Sequence, residues 1–121
     1  MALRTLVVMC ILLVSCTPRL YRTPRNVTVS PSVGFSGGSG ESFHDAVIIN
    51  GAKSQGEGVA AEYQFISKIF GQRGNGWHLV GQTVIREKNK VVDVIEIQLG
   101  QSSERRIYYF DASDFLWRRK K

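Results

Sequence analysis

The side chains able to do chemistry are few. The histidines are His44 and His78, and the cysteines are Cys10 and Cys16. Nucleophilic catalysis needs a nucleophile, a base and an orienting group that converge in space. No serine elbow stands in this chain, and His44 and His78 are expected at strand ends or on the surface. Asp111 and Asp114 flank Ser113. Paired carboxylates can hold a hard cation or share a proton. Two ligands do not fill a coordination shell, so no metal is expected there. Asp and Ser at a strand end more commonly form turns and caps. The most suggestive constellation is Asn50-Gly51-Ala52-Lys53-Ser54-Gln55-Gly56-Glu57-Gly58. Backbone N–H groups and the dipole at a helix N-terminus attract an anion, which makes Lys53 and Ser54 candidate anion-binding residues. The turn is not a Walker A loop: Val47 and Ala52 stand where its two glycines belong. Glu57 would repel a phosphate and suits a cap. The loop Gly71 to Gly76 follows a helical pattern and precedes a strand, the reverse of the dinucleotide-binding order. No cofactor is expected.

These residues need elements to position them. Asp45 to Asn50 is a short apolar run bounded by polar residues, which predicts a buried strand. Ser54 and Glu57 fit a capping box that opens a helix running to Phe70. Val59, Tyr63, Ile66 and Phe70 form its apolar stripe, with Glu62, Gln64 and Lys68 assigned to the remaining, polar surface. Gly71 is the expected C-cap. Strands are predicted at Trp77–Arg86, with Trp77, Leu79, Thr83 and Ile85 on one face, at Val91–Leu99 and at Arg106–Phe110. Short polar connections make these three an antiparallel meander. The expected fold class is α+β, a small two-layer β-α-β-β-β domain. One helix packs on an antiparallel-rich sheet of about four strands. The other sheet face is expected to carry His78, Gln82, Glu96, Gln98 and Arg106.

The chain has 121 residues, 43% of them hydrophobic, with a net charge of +6. Residues 44–117 are expected to form the folded domain, and residues 16–43 a flexible tether holding Pro18, Pro24 and Pro31. A core of that size is marginal, since domains of about 60 residues bury only about 60% of their unfolded surface. A large enzyme with a deep cleft is excluded. Eight of the sixteen basic residues lie outside 44–117, and within it eight Lys/Arg face nine Asp/Glu. The domain lacks the clustered cationic face that nucleic acid requires.

Arg4 precedes an unbroken apolar run of nine residues, Leu6 to Val14. Such a run suits a secretory signal and is too short to span a bilayer. It ends in Leu13-Val14-Ser15-Cys16, which resembles the lipobox of bacterial lipoproteins. The resemblance implies that residues 1–15 are a signal peptide and that Cys16 becomes the acylated first residue. It implies a lipid-anchored envelope protein. Thr17, where the inner-membrane retention signal would have Asp, implies the periplasmic face of the outer membrane in a cell with two membranes. The other reading is an ordinary secretory signal with Cys16 a free thiol. Either way a single cysteine remains after cleavage, and no intramolecular disulfide is expected.

Trp117, Arg118, Arg119, Lys120 and Lys121 are candidate contacts with an anionic membrane surface, where each basic residue contributes about 1 kcal/mol. Alternatively they form a solvated tail while Phe115 and Leu116 pack on the core. Gly58–Tyr63 and Tyr109–Phe115 resemble segments of small uncharacterised bacterial proteins, a likeness that implies no activity. The expected function is a membrane-anchored, non-enzymatic module that binds an envelope protein or polymer. The alternatives are a ligand-binding or enzymatic domain using Lys53-Ser54 or the Asp111/Asp114 end, and a structural spacer without a ligand.

Overall fold

The computed structural model describes residues 28–87 and 89–116. Cys16, the signal segment, Trp117 and the basic tail from Arg118 to Lys121 lie outside them. The elements run β1 (Gly34–Gly37), β2 (Val47–Asn50), α1 (Gln55–Phe70), β3 (Trp77–Glu87), β4 (Lys90–Leu99), β5 (Arg105–Asp111) and α2 (Ser113–Leu116). The fold is α+β: one mixed five-stranded sheet in the order β1-β2-β5-β4-β3, with two helices. The strands β3, β4 and β5 form the expected antiparallel meander. The meander returns β5 beside β2, and the two run parallel.

Helix α1 begins and ends where capping chemistry places it. Ser54 Oγ accepts the Glu57 N–H at 3.1 Å, and Gly71 closes the helix with its N–H on the Ser67 carbonyl. Val59, Tyr63 and Ile66 are buried against the sheet, with Val47, Ile49, Ile95, Ile97, Tyr108 and Phe110 opposite. Phe65 centres an aromatic group, its ring 5.7 Å from Phe35 and 5.6 Å from Phe110. Trp77 is fully buried, and its indole N–H donates to Ser67 Oγ.

The expectation of four strands and one helix needs two additions. Gly34–Gly37, inside the stretch read as tether, is an edge strand paired antiparallel to β2. Phe35 pins it by packing its tilted ring against Phe65. The Gly/Ser loop that follows is held by Asp45, whose carboxylate accepts both the N–H and the hydroxyl of Ser39. Those bonds keep the Asp45 carboxyl below its ordinary range. The second addition is α2, whose Phe115 ring lies flat against Gly58. A Cβ on Gly58 would stand 2.4 Å from that ring. Gly58 thus brings the start of α1 against α2.

One strand also changes face midway. The β3–β4 register shifts between Leu79 and Gly81, so Val80 is an extra residue in β3. A bulge reverses the in-out alternation beyond it. Trp77 and Leu79 point toward the helices, and so do Gln82 and Val84 rather than Thr83 and Ile85. Gln82 therefore belongs to the helix side, not to the open face. Arg106 also departs from expectation. It pairs with Ile97 in register, which puts Arg105 on the open face beside Glu96.

Candidate functional site

The turn at Lys53 and Ser54 is organised around a carboxylate of the chain itself. Glu57 takes the Lys53 N–H at 2.9 Å on one oxygen. Its other oxygen takes the backbone N–H and hydroxyl of Ser30. The side chain thus reaches one residue past the N-cap and ties the segment before β1 to α1. These donors, the Ser30 hydroxyl foremost, lower the Glu57 carboxyl to about 2. The Lys53 N–H is thus engaged by Glu57, while Lys53 and Ser54 are exposed.

The Asp111 and Asp114 end is a junction of four elements. Asp111 Oδ1 accepts the Ser113 N–H at 3.0 Å, and Ser113 Oγ accepts the Val91 N–H at 2.9 Å. Asp114 Oδ2 accepts the Gly51 N–H at 3.1 Å. Gly51 has a φ of 81°, and a Cβ there would stand 2.5 Å from the Ser32 carbonyl oxygen, so the turn requires glycine. The histidines stand apart. His44 is exposed with its ring edge-on to Phe43, and His78 is half-buried on the open face opposite Gln98.

The densest polar chemistry lies elsewhere, between α1 and the sheet. Glu62 and Asp93 are 0% and 1% exposed. The two carboxyls are close enough to act on one another. Asp93 Oδ2 accepts from the Gln82 amide, and Gln82 Oε1 accepts from the Tyr63 hydroxyl at 2.8 Å. A hydrogen-bonded chain thus runs Tyr63–Gln82–Asp93 under the helix, with Glu62 beside Asp93. The Arg73 guanidinium covers its Tyr63 end, 4.9 Å from that ring and 5.7 Å from the Trp77 ring. Burial pushes Glu62 well above the ordinary carboxyl range, and the neighbouring Asp93 pushes the same way. Burial raises Asp93 too, opposed by the neighbouring Glu62 and Gln82 side chains and the Val94 backbone.

Glu62, expected on the polar surface, is buried, and its spacing accounts for that. Glu62 lies three residues after Val59 and four before Ile66, inside the apolar stripe. Asp93 alternates with Val91, Ile95 and Ile97 on the inward face of β4. Both carboxyls occupy core positions by periodicity alone.

The chain matches no known family model, no curated protein and no solved structure. Its functional reading therefore rests on its own surfaces. Among the described residues no three His, Cys, Asp or Glu side chains gather as a metal-ligand group. No helix among them is long and apolar enough to cross a membrane.

The sheet face away from α1 presents Ile107, 47% exposed, between Arg105 and Tyr109 on β5 and opposite Glu96 on β4. Val80 is exposed at the β3 bulge. A cleft of about 460 Å³ opens beside β5, lined by Glu41, Arg105, Arg106, Ile107, Tyr108 and Tyr109. β2 pairs with β5 only at Phe110 and Asp111, and the Tyr109 N–H goes to the Gly40 carbonyl. Among the described residues, Arg105 to Tyr108 therefore have no strand neighbour on that side.

Proposed function

We propose that this protein is an envelope module, anchored through an acylated Cys16, that binds a partner protein or polymer without transforming it. The observation carrying this reading is the β5 border. An exposed Ile107, a cleft and a stretch of strand without a neighbour on one side coincide there. Strand edges of this kind accept an extended segment, with backbone hydrogen bonds giving affinity and side-chain sites giving selectivity. The signal at Leu13-Val14-Ser15-Cys16 supports the anchoring, and residues 17–27 lie between that cysteine and the described fold. A tethered module meets partners on the same membrane at high effective concentration, so a small contact suffices.

Intact mass and membrane fractionation of the native chain beside Cys16→Ala test the anchor. Acylation and membrane retention of the native chain alone are expected; an unlipidated native chain overturns it. Crosslinked partner capture on those membranes tests the surface. Ile107→Glu is expected to abolish capture while leaving the circular dichroism spectrum intact, and undiminished capture overturns the surface.

A further inference from the structure

Two carboxyl groups meet inside the fold with too few donors between them. Both Glu62 oxygens and Asp93 Oδ1 have no hydrogen-bond donor among the described residues. The fourth oxygen, Asp93 Oδ2, is held by Gln82. Among the described residues no cation is paired with either carboxyl. From α1 comes the Tyr63 hydroxyl, which is turned to Gln82. From β3 comes the Gln82 amide, and from β5 the apolar Phe110, the register partner of Asp93. Arg73 lies against the outer aromatic rings of Tyr63 and Trp77. The ion pairs seen among the described residues are Arg105–Glu96 and Arg106–Glu104.

Two adjacent carboxylates cannot both stay ionised in apolar packing. Protonating both would leave Asp93 a poorer acceptor for the Gln82 amide. One proton between them supplies the missing donor: Glu62 O–H donates to Asp93, and Asp93 keeps its bond from Gln82. We infer that Glu62 and Asp93 share a single proton that latches α1 to the sheet, and that alkaline conditions release the latch. The pair titrates as a unit, so its transitions belong to neither residue alone.

The sign follows from the unfolded chain, where both carboxyls ionise at about pH 4. From there up to the pH at which the pair gives up its proton, the folded state holds one proton more than the unfolded state. Across that window the unfolding constant rises about tenfold per pH unit. Below the unfolded range, where both states are protonated, this contribution to the slope vanishes.

Urea unfolding of the full chain across this window, followed by circular dichroism, reads the latch. The wild-type midpoint is expected to fall as pH rises. Glu62→Gln keeps the shape and donates an amide N–H to Asp93 without a titrating proton, so its midpoint should lose that fall. Asp93→Asn removes the partner but leaves Glu62 buried, so it should keep part of the fall. A folded-state measurement stands beside these. Infrared spectra of the wild-type chain at neutral pH should show an un-ionised carboxylic acid that disappears at alkaline pH. Absence of that band at neutral pH overturns the inference, even if the variants fail to fold. A wild-type midpoint that stays flat or rises, or a fall retained in full in Glu62→Gln, overturns it as well.

Discussion

Glu57 and Glu62 lie on the same helix, five residues apart, and both are nearly inaccessible, at 6% and 0% exposure. Their charge states are driven in opposite directions. Glu57 stands in the first turn, where backbone N–H groups lack intrahelical partners, and it gathers three donors from Ser30 and Lys53. Glu62 stands in the middle of α1, where the backbone is already paired, and it faces another carboxyl. Burial alone therefore does not decide the state of a carboxyl in this fold. Burial with a second carboxyl raises Glu62, while donors from Ser30 and Lys53 hold Glu57 down.

The aromatic wall beside the inner pair offers the strongest way to break this comparison. Trp77 packs edge-on against Tyr63, with ring centroids 5.6 Å apart. Trp77→Ala is expected to destabilise the domain by about 3–5 kcal/mol, as large core truncations do. The cavity also gives water a route toward Gln82 and Asp93. The alkaline loss of stability should shrink in this variant, while the acid behaviour of Glu57 stays. Urea titrations at several pH values read both.

Gly58 separates the two regions and allows a smaller perturbation. Its missing side chain makes room for the Phe115 ring. Gly58→Ala should cost about 1–3 kcal/mol through overpacking, despite the better helix propensity of alanine. Neither carboxyl changes its donors, so the whole pH–stability curve should drop without changing shape.

The outer end of the helix gives the next effect. Ser54→Ala removes the N-cap acceptor and should cost about 1 kcal/mol in thermal or urea unfolding. Glu57→Gln addresses the charge. The Glu57 carboxyl is lowered from 4.5 to about 2, so its stabilisation is present above 4.5 and lost as the pH falls toward 2. The glutamine variant should be less stable at neutral pH and should lose that acid dependence. Its alkaline limb, which belongs to Glu62 and Asp93, should remain.

The outer site was easier to read in the sequence than the inner one, for a physical reason. Ser54, Glu57 and Gly71 act through local backbone geometry, and local rules place them. The meander was legible because polar connectors interrupt strand-forming runs at Glu87 and Gly100. The inner pair depends on two periodicities meeting across the core. Each was present in the sequence, but a charged residue type outweighed its position. The bulge at Val80 had a signal in Gly81, since an isolated glycine within a strand pattern marks such irregularities. β1 had only Phe35 to announce it among glycines and serines. α2 spans four residues, too few for any helical period to register.

The smallest predicted effect sharpens what separates the two regions. Arg106 meets Glu104 at 2.6 Å, closer than either donor of the Glu57 backbone bonds. Were proximity of an opposite charge decisive, this pair would matter most. Both side chains are about half exposed, however, at 50% and 54%. Water already solvates each charge, and holding two long side chains together costs conformational entropy. Arg106→Gln should therefore change stability by less than about 0.5 kcal/mol, and any effect should fade with added salt. A larger loss would mean that partner distance, rather than desolvation and donor supply, governs the carboxyls of this domain. It would also remove the basis for setting Glu57 against Glu62.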